Sequence, residues 1–413
     1  MLSYEDNQSL IRTGPGTPMG SLMRRYWIPA LMSEQIKEPD CPPVRVRLLS
    51  ENLVAFRDTK GRPGLVAEAC PHRLASMFFA RNEDAGLRCV YHGAKFDVFG
   101  NCVDMPVEPA TSTYKSRVRI AAYPCIERAG IVWTYMGPPE LQPGFPALEW
   151  TLVPDSHRYV TRHIQECNWL QALEGGFDVT HLTFLHGGSS VEHRTIPPYC
   201  EVIPIPGGFI AGNGRDIGGG QQQWSASIML MPFHKLISAV PPPVGAHIWV
   251  PIDDENTMLY SVDYDATRPL RDDEMQRSYN WEHIHTENIP GTDYAIRNRR
   301  NNYLIDRDLQ KSGTSYTGLM GFGIQDCAIQ ESMGPIADRT QEHLASSDAM
   351  IVKLRRMLLQ TLKSVQQGGT PPGLESHHYH VRPGRFKCAG SEPVEQCALA
   401  FVNSAPPERV GSG

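Results

Sequence analysis

The feature that most constrains this chain is a pair of short segments that combine cysteine with histidine. Cys70 and His72 form a Cys-x-His pair, and after sixteen intervening residues Cys89 and His92 form a Cys-x-x-His pair. Thiolates and imidazoles are common protein ligands of zinc and iron. The spacing therefore predicts two loops that each present one thiolate and one imidazole to a shared metal centre.

Two kinds of metal centre use such ligands. Structural zinc sites favour mostly cysteine ligands in repeated Cys-x-x-Cys knuckles, whereas a Rieske 2Fe–2S cluster places two cysteines on one iron and two histidines on the other. One cysteine and one histidine from each loop suits the Rieske cluster better. We expect buried thiolates, imidazoles directed towards the surface, and tight loops at Gly93 and Gly100.

The segment "GGFDVTHLTFLHGG", residues 175–188, places Asp178, His181 and His186 among apolar residues. Mononuclear non-heme iron is bound by two histidines and one carboxylate. A five-residue step does not align two side chains on a straight helix, so the segment is predicted to leave helical geometry between the histidines. Alone, such a pair is more often structural. Here an iron site is favoured, because another part of the chain is predicted to hold a cluster that transfers single electrons.

The third iron ligand is expected in "GFGIQDCAIQES", residues 321–332. Asp326 lies there among apolar residues, where a carboxylate is costly unless it is paired or coordinated. Glu331, five residues further on, is the competing candidate. The surroundings of Asp326 make it the first candidate, and Glu331 would then support it or cap a neighbouring helix.

These motifs resemble those of the Rieske non-heme iron aromatic-ring oxygenases. The two Cys/His pairs match the family's Rieske signature, although Ala94 stands where the family often has tryptophan. "NWLQALEGGFDVTHLTFLH" is similar to the family's Asp-x-x-His-(x)4-His iron motif. "QDCAIQESMGPIADRTQEHLASSD" resembles the phthalate dioxygenase branch, whose oxygenases consist of one subunit type. The recognisable motifs cover residues 15–110, 166–188 and 313–356.

The resemblance implies a role for each of these residues. Cys70, His72, Cys89 and His92 would hold the 2Fe–2S cluster, and His181, His186 and Asp326 would hold mononuclear Fe(II). Asp178 matches the family's bridge, a carboxylate that links an iron-bound histidine to a cluster histidine of the adjacent subunit. This bridge implies a homotrimer or a homohexamer. The implied electron donor is an NAD(P)H-dependent reductase with a flavin or iron–sulfur centre.

The function implied is that of a terminal oxygenase component, which uses O2 and reductase electrons to dihydroxylate an aromatic carboxylic acid similar to phthalate or benzoate. Oxidative O-demethylation of a methoxylated aromatic acid uses the same iron chemistry and stays open. A zinc-stabilised, non-enzymatic binding protein is the alternative from a different class. Arg194, Arg297 and Lys235 are candidate partners of a substrate carboxylate, although a surface role is the more common one for each.

The predicted fold class is α+β. Residues 20–140 alternate apolar and polar residues around turns such as "DTKGRPG" and predict an all-β Rieske domain. Residues 141–369 predict a catalytic domain in which helices cover an antiparallel sheet, with residues 1–19 as a candidate addition to it. Residues 370–413 are rich in Pro, Gly and Ser and are expected to be irregular. A helix is predicted from Ser347 or Asp348 to Gly368 and Gly369, with an apolar stripe at three- and four-residue steps.

Composition limits the partners and the compartment. The formal net charge of −6 argues against a nucleic-acid-binding protein, and no apolar run approaches the roughly 18 residues needed to cross a membrane. Ten cysteines are spread at irregular intervals, which is unlike a secreted disulfide scaffold. We therefore expect a cytoplasmic protein whose cysteines are free, buried or bound to metal.

Overall fold

The computed structural model describes residues 2–178, 180–186, 199–238, 243–281 and 283–404. The chain divides into two compact units, one of residues 13–143 and one of residues 1–12 together with 144–413. The division after Pro143 lies close to the predicted domain boundary at residues 140 and 141. Residues 13–19 belong with the first unit, whereas residues 1–12 belong with the second.

The first unit contains three antiparallel sheets of three, four and four strands, ordered β1-β11-β10, β2-β3-β4-β9 and β5-β6-β7-β8. Their bounds are β1 (Trp27–Met32), β2 (Val44–Leu48), β3 (Glu51–Arg57), β4 (Pro63–Ala67), β5 (Arg81–Glu83), β6 (Gly86–Arg88), β7 (Lys95–Phe96), β8 (Cys102–Asp104), β9 (Ala122–Tyr123), β10 (Cys125–Arg128) and β11 (Ile131–Tyr135).

The second unit is organised around one eight-stranded antiparallel sheet. Seven strands follow the order β12-β18-β17-β16-β15-β14-β13, and the eighth, β19, also pairs with β15. Their bounds are β12 (Arg158–Gln165), β13 (Tyr199–Ile205), β14 (Gly208–Gly218), β15 (Gln221–Leu230), β16 (His234–Leu236), β17 (Val244–Pro251), β18 (Thr257–Tyr264) and β19 (Gly384–Ala389).

Helices occur in both units. The first unit has α2 and α3, and the second has the others. The bounds are α1 (Tyr4–Ile11), α2 (Pro18–Met23), α3 (Tyr114–Arg117), α4 (Glu149–Leu152), α5 (Trp169–Phe177), α6 (Asp272–Tyr279), α7 (Arg307–Ser312), α8 (Phe322–Ser332), α9 (Ala349–Gln366) and α10 (Val394–Val402). None of the helices in the described residues is long and apolar enough to cross a membrane.

The β3–β4 turn shows how the sequence builds the first unit. The Asp58 carboxylate accepts hydrogen bonds from the N–H groups of Lys60 and Arg62 at 3.0 and 2.8 Å, and Gly61 has φ = 78°, a conformation that favours glycine. Inward-facing strand residues and the thiols of Cys70 and Cys89 form one core cluster. The predicted turn and all-β unit are confirmed.

Helix α5 is anchored in the second unit by a buried charge cluster. The Glu174 carboxylate accepts hydrogen bonds from Arg339 at 3.0 Å and from Arg355, in α9, at 2.6 Å. All three side chains are buried, so each needs the others to offset the loss of water. Asn168, the N-cap of α5, also donates to the carbonyl of Ile11. These contacts fix the helix that leads into the His181 segment.

Two expectations are wrong. In the tail, expected to be irregular over 370–413, the described residues 370–404 contain β19 and α10, whose Phe386 and Phe401 rings stack with centroids 5.5 Å apart. Strand β16 covers only Ile228–Leu230 of β15, so residues 221–226 of β15 remain available for β19. Cys388 and Cys397 form a disulfide between these two elements, contrary to the expectation of free, buried or metal-bound cysteines.

Helix α9 follows its prediction. It runs from Ala349 to Gln366, and Gly368 after it has φ = 86°. Its predicted stripe packs inwards, with Ile351, Leu354, Leu358 and Leu362 buried. Helix α6 is shorter and ends at Tyr279, because Trp281 just beyond its end has φ = 59°, which is incompatible with a continuing helix.

Candidate active site

The two Cys/His loops of the first unit have the same backbone hydrogen bonds. In residues 70–75 and 89–94, the cysteine N–H donates to the carbonyl five residues later, and the cysteine carbonyl accepts from the N–H four residues later, over 2.8–3.0 Å. The donor residues, Leu74 and Gly93, have φ = 61° and 80°. The loops are therefore two matched turns, each held by the main chain.

The four side chains divide as the sequence predicts. Cys70 and Cys89 are 1% and 3% exposed, whereas His72 and His92 are half-buried, with ring centroids 4.6 Å apart. The buried Nδ1 of His92 has no hydrogen-bond partner among the described residues, as expected for an atom that binds metal. Burial raises the pKa of the Cys70 thiol to about 11, and the neighbouring Cys89 thiol adds to this effect.

The spacing of these donor atoms separates a cluster from a single zinc ion. One tetrahedral zinc would hold four ligand atoms within about 4 Å of one another. Within the described ranges, no three donor atoms of the two Cys/His pairs lie within 4.8 Å of one another, although two other residue groups meet this limit. A wider separation is expected where two irons and their sulfides lie between the cysteines and the histidines.

In the second unit, His181, His186 and Asp326 form one of those two groups. The Nε2 atoms of the histidines are 3.1 Å apart, and they lie 3.5 and 3.4 Å from Oδ1 of Asp326. Donor atoms that bind one ion on one face through bonds of about 2.1 Å are roughly 3 Å apart. Oδ1 of Asp326 is buried without a hydrogen bond among the described residues. This set fits a mononuclear iron.

Local structure explains how the two histidines come together. Helix α5 ends at Phe177, and a 3-10 turn from His181 to Thr183 follows before His186. The predicted departure from helical geometry is therefore observed. Gly187 and Gly188, which were expected to assist it, lie outside the described residues.

Two glycines allow α5 to approach its neighbours closely. A Cβ atom at Gly175 would overlap the Gln330 side chain of α8, and one at Gly176 would overlap the Trp249 ring of β17. The helix end is thereby fixed against both the sheet and α8, which also carries Asp326.

The carboxylates in this group attract positive charge. Burial disfavours ionisation of both His181 and Asp326, yet their mutual attraction is stronger. The Asp178 and Asp326 carboxylates raise the pKa of His181 to about 9, and His181 and His186 hold the pKa of Asp326 far below its usual range. A divalent cation would replace the proton as the partner of the carboxylate.

Asp178 and Glu331 occupy different positions around this group. Oδ2 of Asp178 lies 3.7 Å from Nδ1 of His181, and its other oxygen accepts hydrogen bonds from the N–H and hydroxyl of Thr180. Glu331 is directed elsewhere, because it accepts hydrogen bonds from the Tyr303 hydroxyl at 2.7 Å and from the Glu166 N–H at 3.1 Å. Of these two acids, Asp178 is therefore the one that lies beside an iron-ligand candidate.

A cavity of about 600 Å³ lies beside Asp178, which forms part of its wall. Phe177 and Ala211 give its inner part an apolar surface, and the exposed Arg215 and Arg385 line its outer part. Of the three candidate carboxylate partners, Lys235 lines the cavity. Arg297 instead lies 4.0 Å from Glu287, and Arg194 lies outside the described residues.

Comparison with known proteins identifies the chain. Family models match the Rieske 2Fe-2S domain over residues 26–116 and the LigXa C-terminal domain like family over residues 134–196 and 225–383. The chain is 38% identical over 410 residues to the oxygenase subunit of 3-chlorobenzoate-3,4-dioxygenase from Comamonas testosteroni, with 93% of this chain and 94% of that protein covered. This chain belongs to the Rieske oxygenases.

Two further relatives within the Rieske oxygenases differ in reaction. The phthalate 4,5-dioxygenase oxygenase subunit of Pseudomonas putida is 37% identical, with 96% of this chain and 94% of that protein covered. The 5,5'-dehydrodivanillate O-demethylase oxygenase subunit of Sphingobium sp. is 32% identical, with 91% and 84% covered. The crystal structure of dicamba monooxygenase bound to dicamba shares the fold, with a TM-score of 0.57, 18% identity, and 84% of this chain and 99% of that chain covered.

Membership fixes the class of enzyme and its cofactors. This Rieske oxygenase is an oxidoreductase of the dioxygenase and monooxygenase class, and its cofactors are a Rieske 2Fe–2S cluster and a mononuclear iron. The zinc-stabilised binding protein is thereby excluded. The predicted α+β class, with a β Rieske domain before an antiparallel sheet and helices, is confirmed.

Sequence reasoning missed one residue beside the candidate iron ligands. Oε1 of Gln325 lies 2.7 Å from Nδ1 of His186, and its Nε2 donates to the carbonyl of Leu319 at 3.0 Å. The amide orientation makes Oε1 an acceptor, so Nδ1 of His186 carries the proton and Nε2 keeps its lone pair for metal. Its only sequence signal is its position directly before Asp326.

Proposed function

We propose that this chain is the terminal oxygenase of a multicomponent system that dihydroxylates an aromatic carboxylic acid of the phthalate or benzoate type. The observation that carries the proposal is the cavity beside Asp178, which combines an apolar inner wall with cationic side chains. An aromatic ring needs the first feature, and a carboxylate is attracted by the second. The named substrates of the two most identical relatives above are also aromatic acids.

The proposal assigns each candidate ligand to one centre. Cys70, His72, Cys89 and His92 hold the 2Fe–2S cluster. The burial of both thiols and the unpartnered Nδ1 of His92 support this assignment. The burial also keeps water from the sulfur ligands, while the half-exposed imidazoles allow electrons to enter and leave at the surface.

His181, His186 and Asp326 hold the mononuclear iron, a role that their mutual distances of 3.1–3.5 Å support. When bound, the two centres supply stored electrons and O2 activation. Gln325 fixes the tautomer of His186 so that Nε2 faces the metal. Phe177 and Ala211 hold the substrate ring against the apolar wall of the cavity, beside Asp178, whose Oδ2 lies 3.7 Å from Nδ1 of the proposed ligand His181.

Asp178 is proposed as the bridge for electrons that arrive from the cluster of an adjacent subunit. Its Oδ2 lies near Nδ1 of His181, and the half-buried carboxylate has exposed surface that a second imidazole can approach. Burial opposes ionisation, but His181 and Thr180 lower the pKa of Asp178 to about 2, so the bridge stays anionic at neutral pH. Such a bridge requires a homotrimer or a homohexamer.

Replacement of Asp178 by asparagine tests the bridge. The variant keeps the size and the Thr180 contacts but loses the charge, so we expect both centres to load normally while turnover falls by at least about 100-fold. Iron content and the EPR signal of the reduced cluster report loading, and single-turnover oxidation of the cluster reports electron transfer. Wild-type turnover in Asp178→Asn with both centres present would contradict the bridge.

The electron donor is proposed to be an NAD(P)H-dependent reductase with a flavin or iron–sulfur centre, and the proposed location is the cytoplasm. The donor and the compartment are linked, because the oxygenase must receive its electrons where NAD(P)H is present.

Product analysis tests the reaction. The purified oxygenase, supplied with a phthalate dioxygenase-type reductase and NADH, is offered benzoate, phthalate and 3-chlorobenzoate. We expect substrate-dependent O2 uptake and a cis-dihydrodiol. O-demethylation is the second candidate because of the O-demethylase relative, and methoxybenzoates would then give formaldehyde and a phenol. Turnover of neutral aromatics alone would contradict an acid substrate.

A further inference from the structure

Lys235 occupies an unusual place for a lysine. It lies in β16, whose pattern places His234 and Leu236 in the core and leaves Lys235 half-buried on the opposite face. Its cross-strand neighbours are Met229 and His247, both buried. The ammonium group therefore lies on a part of the sheet that is otherwise enclosed, and it borders the cavity.

Lys235 makes no direct contact with a negative charge among the described residues. Among the described residues, its Nζ donates to the carbonyl of Gly176, at the end of α5, and it forms no ion pair with a described carboxylate. An ammonium group has three N–H donors, and Nζ also lies 5.5 Å from the Phe177 ring centroid. The direct partner is neutral, and the Asp178 and Asp326 carboxylates act on the ammonium group only from beyond hydrogen-bond distance. Part of the cost of burying the charge therefore remains, and an anion in contact with Nζ would offset it.

Two other cations line the cavity but lie in solvent. Arg215 and Arg385 are exposed. They lie on the two strands that flank β15, where Arg215 of β14 pairs with Gln223 and Arg385 of β19 pairs with Ser225. Solvent and salt screen exposed charges, so such residues attract anions only weakly at close range. Among the described residues that line the cavity, Lys235 is the one cation that is not exposed. It borders the part of the cavity where Phe177 and Asp178 lie.

We infer that Lys235 binds the carboxylate of the aromatic acid and thereby fixes the position of the ring relative to His181, His186 and Asp326. The inference rests on the proposed function, since it assigns the acid group of that substrate to one residue. Phe177 and Ala211 would contact the ring. The carboxylate would take the free N–H donors of Nζ while Gly176 keeps the first.

Supporting this assignment, burial lowers the pKa of Lys235 to about 8, although the carboxylates of Asp326 and Asp178 favour its charged form. An ammonium group in this state is still charged at pH 7, and a bound carboxylate would favour the charge further. Lys235 is a binding residue in this proposal and takes no part in proton transfer.

Calorimetric binding to the full-length oxygenase, loaded with both centres and kept anaerobic without reductase, tests the inference without turnover. The probes are benzoate, 3-chlorobenzoate and phthalate, each paired with its neutral amide. We expect the wild type to prefer the acids. Lys235→Met should weaken acid binding about 10- to 100-fold and leave amide binding within about three-fold, since a buried charge partner is worth more than a neutral contact.

Four further variants make the result decisive. Lys235→Gln keeps a donor for the Gly176 carbonyl without the charge, so it should reproduce the acid-selective loss and replaces Lys235→Met if that protein fails to fold. Lys235→Arg should restore acid binding to within about ten-fold of wild type. Lys387→Gln removes an exposed lysine of β19 that does not line the cavity; it is the matched control and should leave acid binding within about two-fold of wild type. Arg385→Gln, at the exposed end, tests the competing cation and should change acid binding by less than about five-fold.

The possible failures are distinct. Equal weakening of acids and amides in Lys235→Gln would make Lys235 a structural residue and overturn the inference. The inference would also be overturned if both neutral variants of Lys235 kept the preference for acids, or if only Arg385→Gln lost it. In either case the proposed acid substrate would stand. If the wild type binds no acid better than its amide, the proposed substrate class and the inference both fail.

Discussion

The two candidate metal-binding regions both use a pair of histidines, yet they hold them in different ways. His72 and His92 are half-exposed on loops whose main chain makes the defining hydrogen bonds. His181 and His186 are instead oriented by side chains, with Asp178 beside one ring and Gln325 hydrogen-bonded to the other. The first region is built from backbone geometry, and the second from side-chain contacts between α5, α8 and the segment that follows α5.

This difference follows from the tasks of the two centres. An electron-transfer centre needs an edge that a partner can approach, so its imidazoles must stay accessible while the turns keep them rigid. An O2-activating centre needs a defined set of ligands next to an enclosed cavity, so each imidazole requires an orienting neighbour. The second region should therefore be the more sensitive to single side-chain substitutions.

The largest expected effect separates the two centres. His186→Ala should remove the mononuclear iron and abolish turnover, while Cys89→Ser should remove the cluster and its red-brown colour. We expect iron to fall from about three per chain to about two in the first variant and to about one in the second. Iron analysis and the EPR spectrum of the dithionite-reduced protein measure this. Loss of both centres in either variant would show that they are not independent.

A smaller effect is expected outside the proposed ligands. Gln325→Leu removes the acceptor of His186 Nδ1, so iron affinity at the mononuclear site should fall about 10- to 100-fold. Gln325→Glu keeps an acceptor and is the matched control. Competition with a chelator measures the affinity, and the cluster EPR signal should stay unchanged. Equal affinity in the leucine variant and the wild type would show that His186 is oriented by other contacts.

The smallest effect concerns acid stability. The first unit contains two histidines, His72 and His92, whereas the second contains thirteen, including His163. Burial lowers the pKa of His163 from 6.5 to about 4. The unfolded chain therefore binds more protons between those values, so stability falls as the pH drops below 6.5, by about 2 kcal/mol for this residue at pH 5.

His163→Gln should reduce the pH dependence of the free energy of unfolding between pH 7 and pH 5 by that amount. Urea unfolding followed by far-UV circular dichroism at each pH measures it. His377→Gln replaces a histidine outside the core and is the control. An unchanged slope in His163→Gln would mean that folding does not lower the pKa of His163.

The sequence predicts those parts of the site in which chemistry fixes residue type and spacing. Cysteine, histidine and aspartate at set intervals indicate metal ligands, so the proximity of His181, His186 and Asp326 follows from their motifs. Their roles as ligands stay a prediction. Gln325 has no such spacing, because an orienting amide can come from any nearby position.

The parts that could not be predicted depend on tertiary pairing. The cavity draws its wall from β14, β15, β16 and β19 and from the end of α5, which are far apart in sequence. Strand β19 itself pairs with β15 because β16 is short, and no local pattern in the Pro- and Gly-rich tail reveals that available edge. Lys235 has the same limitation, since only the position of Gly176 distinguishes it from a surface lysine.

The pairing of β19 with β15 also has an evolutionary consequence. Since the tail strand supplies Arg385 to the outer wall of the cavity, substitutions and insertions around residues 384–389 can alter which molecules enter without altering either set of proposed metal ligands. Changes in this segment can therefore produce new substrate ranges while the proposed metal ligands stay the same. Exchange of this segment between relatives is a practical route to oxygenases with altered selectivity.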